Sequence, residues 1–392
     1  MGLGRVLALL LLPAAAGSAI QLQPEENLSA SDAPSNLNEV GPQALAIDGQ
    51  GRVVVVWSEF TGEEQSPPEL AMRVGPPGAG WGPVVPLTAN DRKYSGDAAL
   101  AADAGGVHVA WVDQATGTFE VWVARIDLEA GKLVDPKAIS SGAQLVMEPA
   151  IAAGPEAELV VEWTAMQDMN YELRLRRWSA KGGWGPVAEV TPADHRASDQ
   201  IALAYGPDGR LHLVWADNRA GARRILQAIA GPAGIGQPVE VSPFAGPGKQ
   251  TRPAIAIDGK GQVAIAWQDG RTGTDEVLVA RSTETGGFSG QPLRAGKAKE
   301  LSRSPCLISG REGELYLLWE DGRRGTMVET ASVEIYCARV AGEALADERA
   351  VTTDRPVSCF NPCGAVDAAG NLHLVWRNTG IGEGDIFYRT GR

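Results

Sequence analysis

The sequence predicts an all-β fold, a β-propeller of seven four-stranded antiparallel blades, on three observations. One tryptophan recurs about every 52 residues. Each of these tryptophans closes a short apolar strand. Glycine-centred turns on both sides of that strand divide every period into four strand-length pieces, the pattern of a propeller blade.

The anchors are Trp57, Trp111, Trp163, Trp215, Trp267, Trp319 and Trp376, separated by 54, 52, 52, 52, 52 and 57 residues. The strands they end read RVVVVW, VHVAW, LVVEW, LHLVW, QVAIAW, LYLLW and LHLVW, alternating or continuous in apolar character as half-buried or buried strands are. About nine residues earlier, Asp48, Asp103, Asp258 and Asp367 introduce glycine turns. Before those turns, stretches such as QALAID and PAIAID supply the first strand of the unit. Arg73, Arg125, Arg177, Arg281, Arg339 and Arg389 end a third strand, and segments such as GWGPVVPLT and GQPVEVS a fourth. The repeats run at about 41–94, 95–146, 147–197, 198–249, 250–301, 302–358 and 359–392. Helices or shorter coils, which a solenoid would need, are not visible.

The two ends complement each other. The seventh repeat stops after its third strand, DIFYRT, and residues 20–30, IQLQPEENLSA, read like the missing fourth. Pairing the termini would close the ring and remove two exposed edges. Before that segment, Arg5, an apolar run from Val6 to Ala16 and small residues at Gly17-Ser18-Ala19 have the form of a cleavable export signal, cut after Ala19,. The expected mature chain is one propeller over 20–392, secreted or periplasmic, with no membrane insertion and as a monomer. A net charge of −13 argues against nucleic acid and anionic membranes as partners.

Symmetry limits where chemistry can occur, because a residue type repeated around a wheel converges only near the axis. His108, His212 and His373 share one repeat position on second strands, so they read as scaffold, and His195 falls in a loop. The turns WADNRAG, WQDGRTG and WEDGRRG place Asp217/Arg219, Asp269/Arg271 and Asp321/Arg323 after three successive anchors. There the aspartate can cap the turn and the arginine can fork onto a neighbouring blade. The result is a polar sector that could bind a ligand. Just before the inner strands stand Pro42, Asp97, Glu148, Gln200, Arg252, Ser304 and Asn361, with Arg303 one step earlier. The mixed charges Asp97, Glu148, Arg252 and Arg303 make this ring the candidate binding funnel, or a salt-bridged channel mouth. The arginines suit a carboxylate or phosphate. The acids could take a cation or, as Asp97 with Glu148, form a glycosidase pair.

Three further features are local. Trp81 and Trp184 sit in GWGP turns, positioned to stack on sugars or to cap blade edges. The sixth repeat carries extra residues around Thr326–Ser332. Cys306, Cys337, Cys359 and Cys363 all fall in the last two repeats. Of three possible pairings, Cys306–Cys363 with Cys337–Cys359 would tie those blades together. No spacing suggests a metal site, no cofactor fingerprint is present, and Asn27-Leu28-Ser29 forms a glycosylation sequon.

The repeat with its W-x-D-x-R-x-G turn resembles the sialidase-like (BNR-type) repeat propellers of exported bacterial proteins, over essentially the whole mature chain. That resemblance implies a propeller fold and, at its functional end, glycan chemistry. The chain lacks an Arg-Ile-Pro motif at its first inner strand and an S-x-D-x-G-x-T-W box, and shows seven repeats where those sialidases have six blades. No catalytic residue is therefore carried over. The expected function is a non-enzymatic binding module for a protein or glycan ligand. The alternative is a sialidase-like exo-glycosidase or lectin.

Overall fold

The computed structural model describes residues 20–392 except 31–33, 38–42, 61–65, 76–79, 90, 232–233, 243–247, 284–285, 289, 298–299, 312, 324–331, 353–356 and 381–383. The export-signal segment, Pro42 and most of the sixth-repeat insertion lie outside the described residues. Seven antiparallel sheets follow one another along the chain. Each runs from an inner strand at the axis to an outer strand at the rim, as Gln250–Ile257, Val263–Asp269, Glu276–Arg281 and Leu293–Arg294 do in blade 5. The expected fold is the observed one.

The seams between blades hold the molecule together. Each of the seven seams has its own apolar cluster among the described residues, built from alternate residues of facing strands. One anchor tryptophan fills each cluster, and all seven are essentially inaccessible. Because side chains alternate across a strand, the tryptophan of a blade faces the preceding blade while its neighbours face the next.

The N-terminal segment closes the ring. Glu26–Asn27 pairs with the third strand of blade 7, Glu26 opposite Tyr388 and Asn27 opposite Phe387. Backbone bonds from Gln21 to Arg392 and from Gln23 to Thr390 extend the pairing. The Asp385 carboxylate is clamped by Asn27 Nδ2 at 3.0 Å and Ser29 Oγ at 2.8 Å, so the sequon residues serve the closure.

The cysteines are free, buried thiols, and their placement explains why. Cys306 packs into the seam between blades 6 and 7, while Cys363 packs into the seam between blades 7 and 1. Their Cβ vectors therefore point into different seams, which a disulfide does not tolerate. The Cys359 amide donates to the Val333 carbonyl at 2.7 Å. Cys337 lies four residues beyond Val333 on an extended strand, roughly 13 Å along it and beyond the reach of a disulfide.

Candidate functional site

The inner strands of six blades carry the same defect. Their pairing with the second strand slips at Gly96/Ala99, Met147/Ala150, Asp199/Ala202, Thr251/Ala254, Arg303/Cys306 and Phe360/Cys363. At each bulge one non-glycine residue adopts a left-handed backbone, with φ of 49–57° at Asp97, Glu148, Gln200, Arg252, Ser304 and Asn361. These are the ring residues picked out in the sequence. A left-handed non-glycine costs on the order of 1 kcal/mol. The seams on either side impose it, and the bulge re-aims the side chain at the channel mouth.

Neighbouring ring members are stitched together. Glu148 Oε2 accepts from the Gln200 amide at 3.1 Å, and Gln200 Oε1 accepts from the Arg252 amide at 2.9 Å. Arg252 Nη1 donates to Ser304 Oγ at 2.8 Å. A second tier comes from the residue after each anchor tryptophan, which the sequence reading missed. Thr164 Oγ1 donates to Glu148 at 3.1 Å. Glu320 accepts from Arg303 Nε at 2.7 Å and from the Asn361 amide at 2.9 Å. Arg377 occupies the same place in blade 7. The signal was present: the position varies from blade to blade while the tryptophan beside it does not.

The mouth is polarised. On blades 2 to 4 it presents Asp97, Glu148 and Asp199, the last ion-paired with Arg223. Burial, and next the negative charge of Asp199, push the Glu148 carboxyl up to about 7. On blades 5 to 7 Arg252, Arg303 and Arg377 line one pocket of about 240 Å³ together with Glu320, Ser304, Asn361 and Phe360. The Arg303 guanidinium stands 5.5 Å from the centre of the Phe360 ring. Three arginines and a single carboxylate thus line one pocket, a composition that suits an oxyanion. Among the described residues no group of three or more His, Cys, Asp or Glu side chains is placed to hold a metal ion.

Beneath the mouth the axial channel narrows to about 200 Å³ between inner strands of all seven blades. Gln43 of blade 1 spans it: its Nε2 donates to Ile151 O at 3.0 Å and its Oε1 accepts from Ile151 N at 2.9 Å.

The Asp-x-Arg turns behave differently from the expectation of inter-blade pairing. Asp217 Oδ2 accepts from its own Trp215 indole at 3.0 Å, and its oxygens accept from the Arg219 amide and Nε at 2.8 Å. Asp269 and Asp321 repeat this with Trp267/Arg271 and Trp319/Arg323. Burial alone would raise the Asp217 carboxyl, but hydrogen bonds from Arg219 and Trp215 outweigh it and hold the group below its usual range. Each arginine closes on the aspartate of its own turn. Geometry consumes these groups in the scaffold.

The histidines do not converge. His108 meets Asp103 at 3.2 Å, and His373 meets Tyr388 at 2.6 Å and Asp367 at 3.3 Å. Trp81 packs edge-on against Tyr388 at 4.8 Å, and Trp184 packs on the seam between blades 2 and 3; both cap seams. Among the described residues no helix is long and apolar enough to cross a membrane.

Comparisons place the fold among known propellers. No protein-family model matches the chain, and no curated protein does. A protein of unknown function from Dyadobacter fermentans matches with a TM-score of 0.58 at 10% identity, over 96% of this chain and 99% of that one. An ulvan lyase of polysaccharide lyase family PL25, bound to -[GlcA(1-4)Rha3S]-, matches with a TM-score of 0.56 at 9% identity, over 79% and 80%. The intramolecular trans-sialidase from Ruminococcus gnavus matches at 0.47 and 10% identity, over 88% and 93%. At these identities the likeness is one of fold alone.

Proposed function

We propose that this protein is an exported glycan-binding propeller whose channel mouth takes the acidic group of an anionic sugar. The observation that carries the reading is the convergence of Arg252, Arg303 and Arg377 from three successive blades on one pocket. Arg252 is set by its bulge and Arg303 by Glu320. A carboxylate or sulfate entering there meets preorganised donors, and Phe360 offers a flat apolar face to the sugar ring. That an ulvan lyase of similar fold is bound to a glucuronate- and sulfate-bearing polysaccharide fits this choice of ligand class.

A second reading, a glycan-active enzyme, is favoured by Glu148. A carboxyl pushed up to about 7 at the mouth is suited to giving or taking a proton near neutrality.

Calorimetry with glucuronate- and sulfate-bearing oligosaccharides, beside neutral ones, tests the first reading. Acidic chains should bind and neutral ones should not at this site, and Arg303→Ala should cost about tenfold or more in affinity. Equal binding of neutral and acidic chains, or full affinity in Arg303→Ala, would overturn it. Product formation that disappears in Glu148→Gln would make catalysis the function.

A further inference from the structure

A second opening lies at the other end of blade 5. Arg252 stands at the mouth end of the inner strand and Asp258 just past its far end, roughly 20 Å away at the rise of an extended chain. The outer strands of blades 2 and 6 run seven residues each, Lys132–Ala138 and Ala344–Ala350. That of blade 5 is Leu293–Arg294 and pairs only with Leu278 and Val279 near the mouth. Below that pairing the chain folds back through a Ser282–Phe288 bridge. Between blades 4 and 5 a cavity of about 650 Å³ opens there, within the usual range for small-ligand pockets.

His212 marks this cavity as more than a packing gap. The side chain is buried and lines the cavity, and its Nδ1 accepts from Gln227 Nε2 at 3.0 Å. Its counterparts in blades 2 and 7 spend Nε2 on the aspartate of the adjoining hairpin, Asp103 and Asp367. In blade 4 the hairpin reads Gly206-Pro207-Asp208, and Asp208 is engaged by Arg210. His212 Nε2 has no hydrogen-bond partner among the described residues, and it is the ring edge left to face the cavity. Burial holds the imidazole below its ordinary pKa, so near neutrality that edge carries one N–H.

We infer that this cavity is a second ligand site, separate from the mouth, for a neutral sugar residue. Phe288, half-buried in the wall, presents an aromatic surface to a C–H face,. The hydroxyls of Ser282 and Thr283 line the cavity with His212 as polar partners, while the Gln262 amide is held by Ser282 O and Arg281. An apolar ligand would strand these polar groups. A strongly anionic ligand would find Arg210 already engaged by Asp208, and would meet the Asp258 carboxylate in the same lining as Lys260.

The chain has four histidines, so imidazole C–H signals in an NMR spectrum of the full protein give a direct readout. The His212 signal is identified by its loss in His212→Gln; should that variant not fold, Gln227→Glu moves the same signal. Methyl glycosides of glucose, galactose, mannose and fucose are titrated to about 50 mM, suited to millimolar dissociation constants. At least one should shift the His212 signal saturably, leave those of His108 and His373 in place, and lose about tenfold in affinity in Phe288→Ala. Arg252→Ala should leave this titration unchanged, so failure of the mouth reading is separable. No sugar moving the His212 signal, or a shift unaltered by Phe288→Ala, would overturn the inference.

Discussion

The Asp-x-Arg turns and the ring at the channel mouth lie on the same face of the wheel and draw on the same residue types, yet their fates differ. In the turns, Asp217, Asp269 and Asp321 each collect an indole N–H, a backbone N–H and a guanidinium from within five residues. At the mouth, Arg252, Arg303 and Arg377 gather from three blades around a common space. Repetition makes an ion pair local and structural, whereas departure from repetition leaves charges to face one another and a ligand.

The largest effect should come from the element that completes the repetition. Removing residues 20–32 takes away the outer strand of blade 7 and the Asp385 clamp. The melting temperature should fall by more than about 10 °C. An unchanged value would mean that the ring does not depend on this closure.

Next is the turn itself. Asp269→Ala leaves the Arg271 guanidinium and the buried Trp267 indole N–H without their acceptor. Chemical denaturation should show a loss of about 2–4 kcal/mol.

A third change runs the other way. Glu162 precedes its anchor tryptophan, where the other blades have Val56, Ala110, Val214, Ala266, Leu318 and Val375. Its carboxyl is fully buried in the seam between blades 3 and 4 with neither oxygen hydrogen-bonded, and burial pushes its pKa well up. Glu162→Leu should stabilise the fold by about 1–3 kcal/mol. A loss of stability would assign Glu162 a role in that seam.

The smallest effect is pH-dependent. Glu148 titrates near 7 in the folded protein against an ordinary 4.5. Between those values the folded state holds a proton that the unfolded state has released. The stabilisation from this group is therefore complete below about 4.5 and is lost as pH rises through about 7. Glu148→Gln should remove that part of the pH slope of the melting temperature, and an identical slope would show that Glu148 ionises normally.

How far the sequence reaches follows the same division. The tryptophan period was readable because seam packing imposes one residue class at one position in every blade; the ring of bulge residues and the closing segment were then readable from their places in that period. The second tier was not. Glu320 and Arg377 matter through residues they meet across strands, Arg303 and Phe360. Register at a bulge decides those meetings; the repeat shows that this position varies from blade to blade, but not what it meets. The cysteines failed for a related reason: shared repeat position puts Cys306 and Cys363 at one height, while strand pleat turns them into different seams.

Blade 5 carries both kinds of arginine, Arg252 in the mouth and Arg271 in the turn, and so offers the most direct test. Binding of a glucuronate-bearing oligosaccharide and thermal unfolding are measured side by side for Arg252→Ala and Arg271→Ala. Arg252→Ala should lose affinity by about tenfold or more and keep its melting temperature within a few degrees. Arg271→Ala should melt earlier and bind as the parent does. The reverse pattern, or equal losses of binding in both, would contradict the division of this face into scaffold and site.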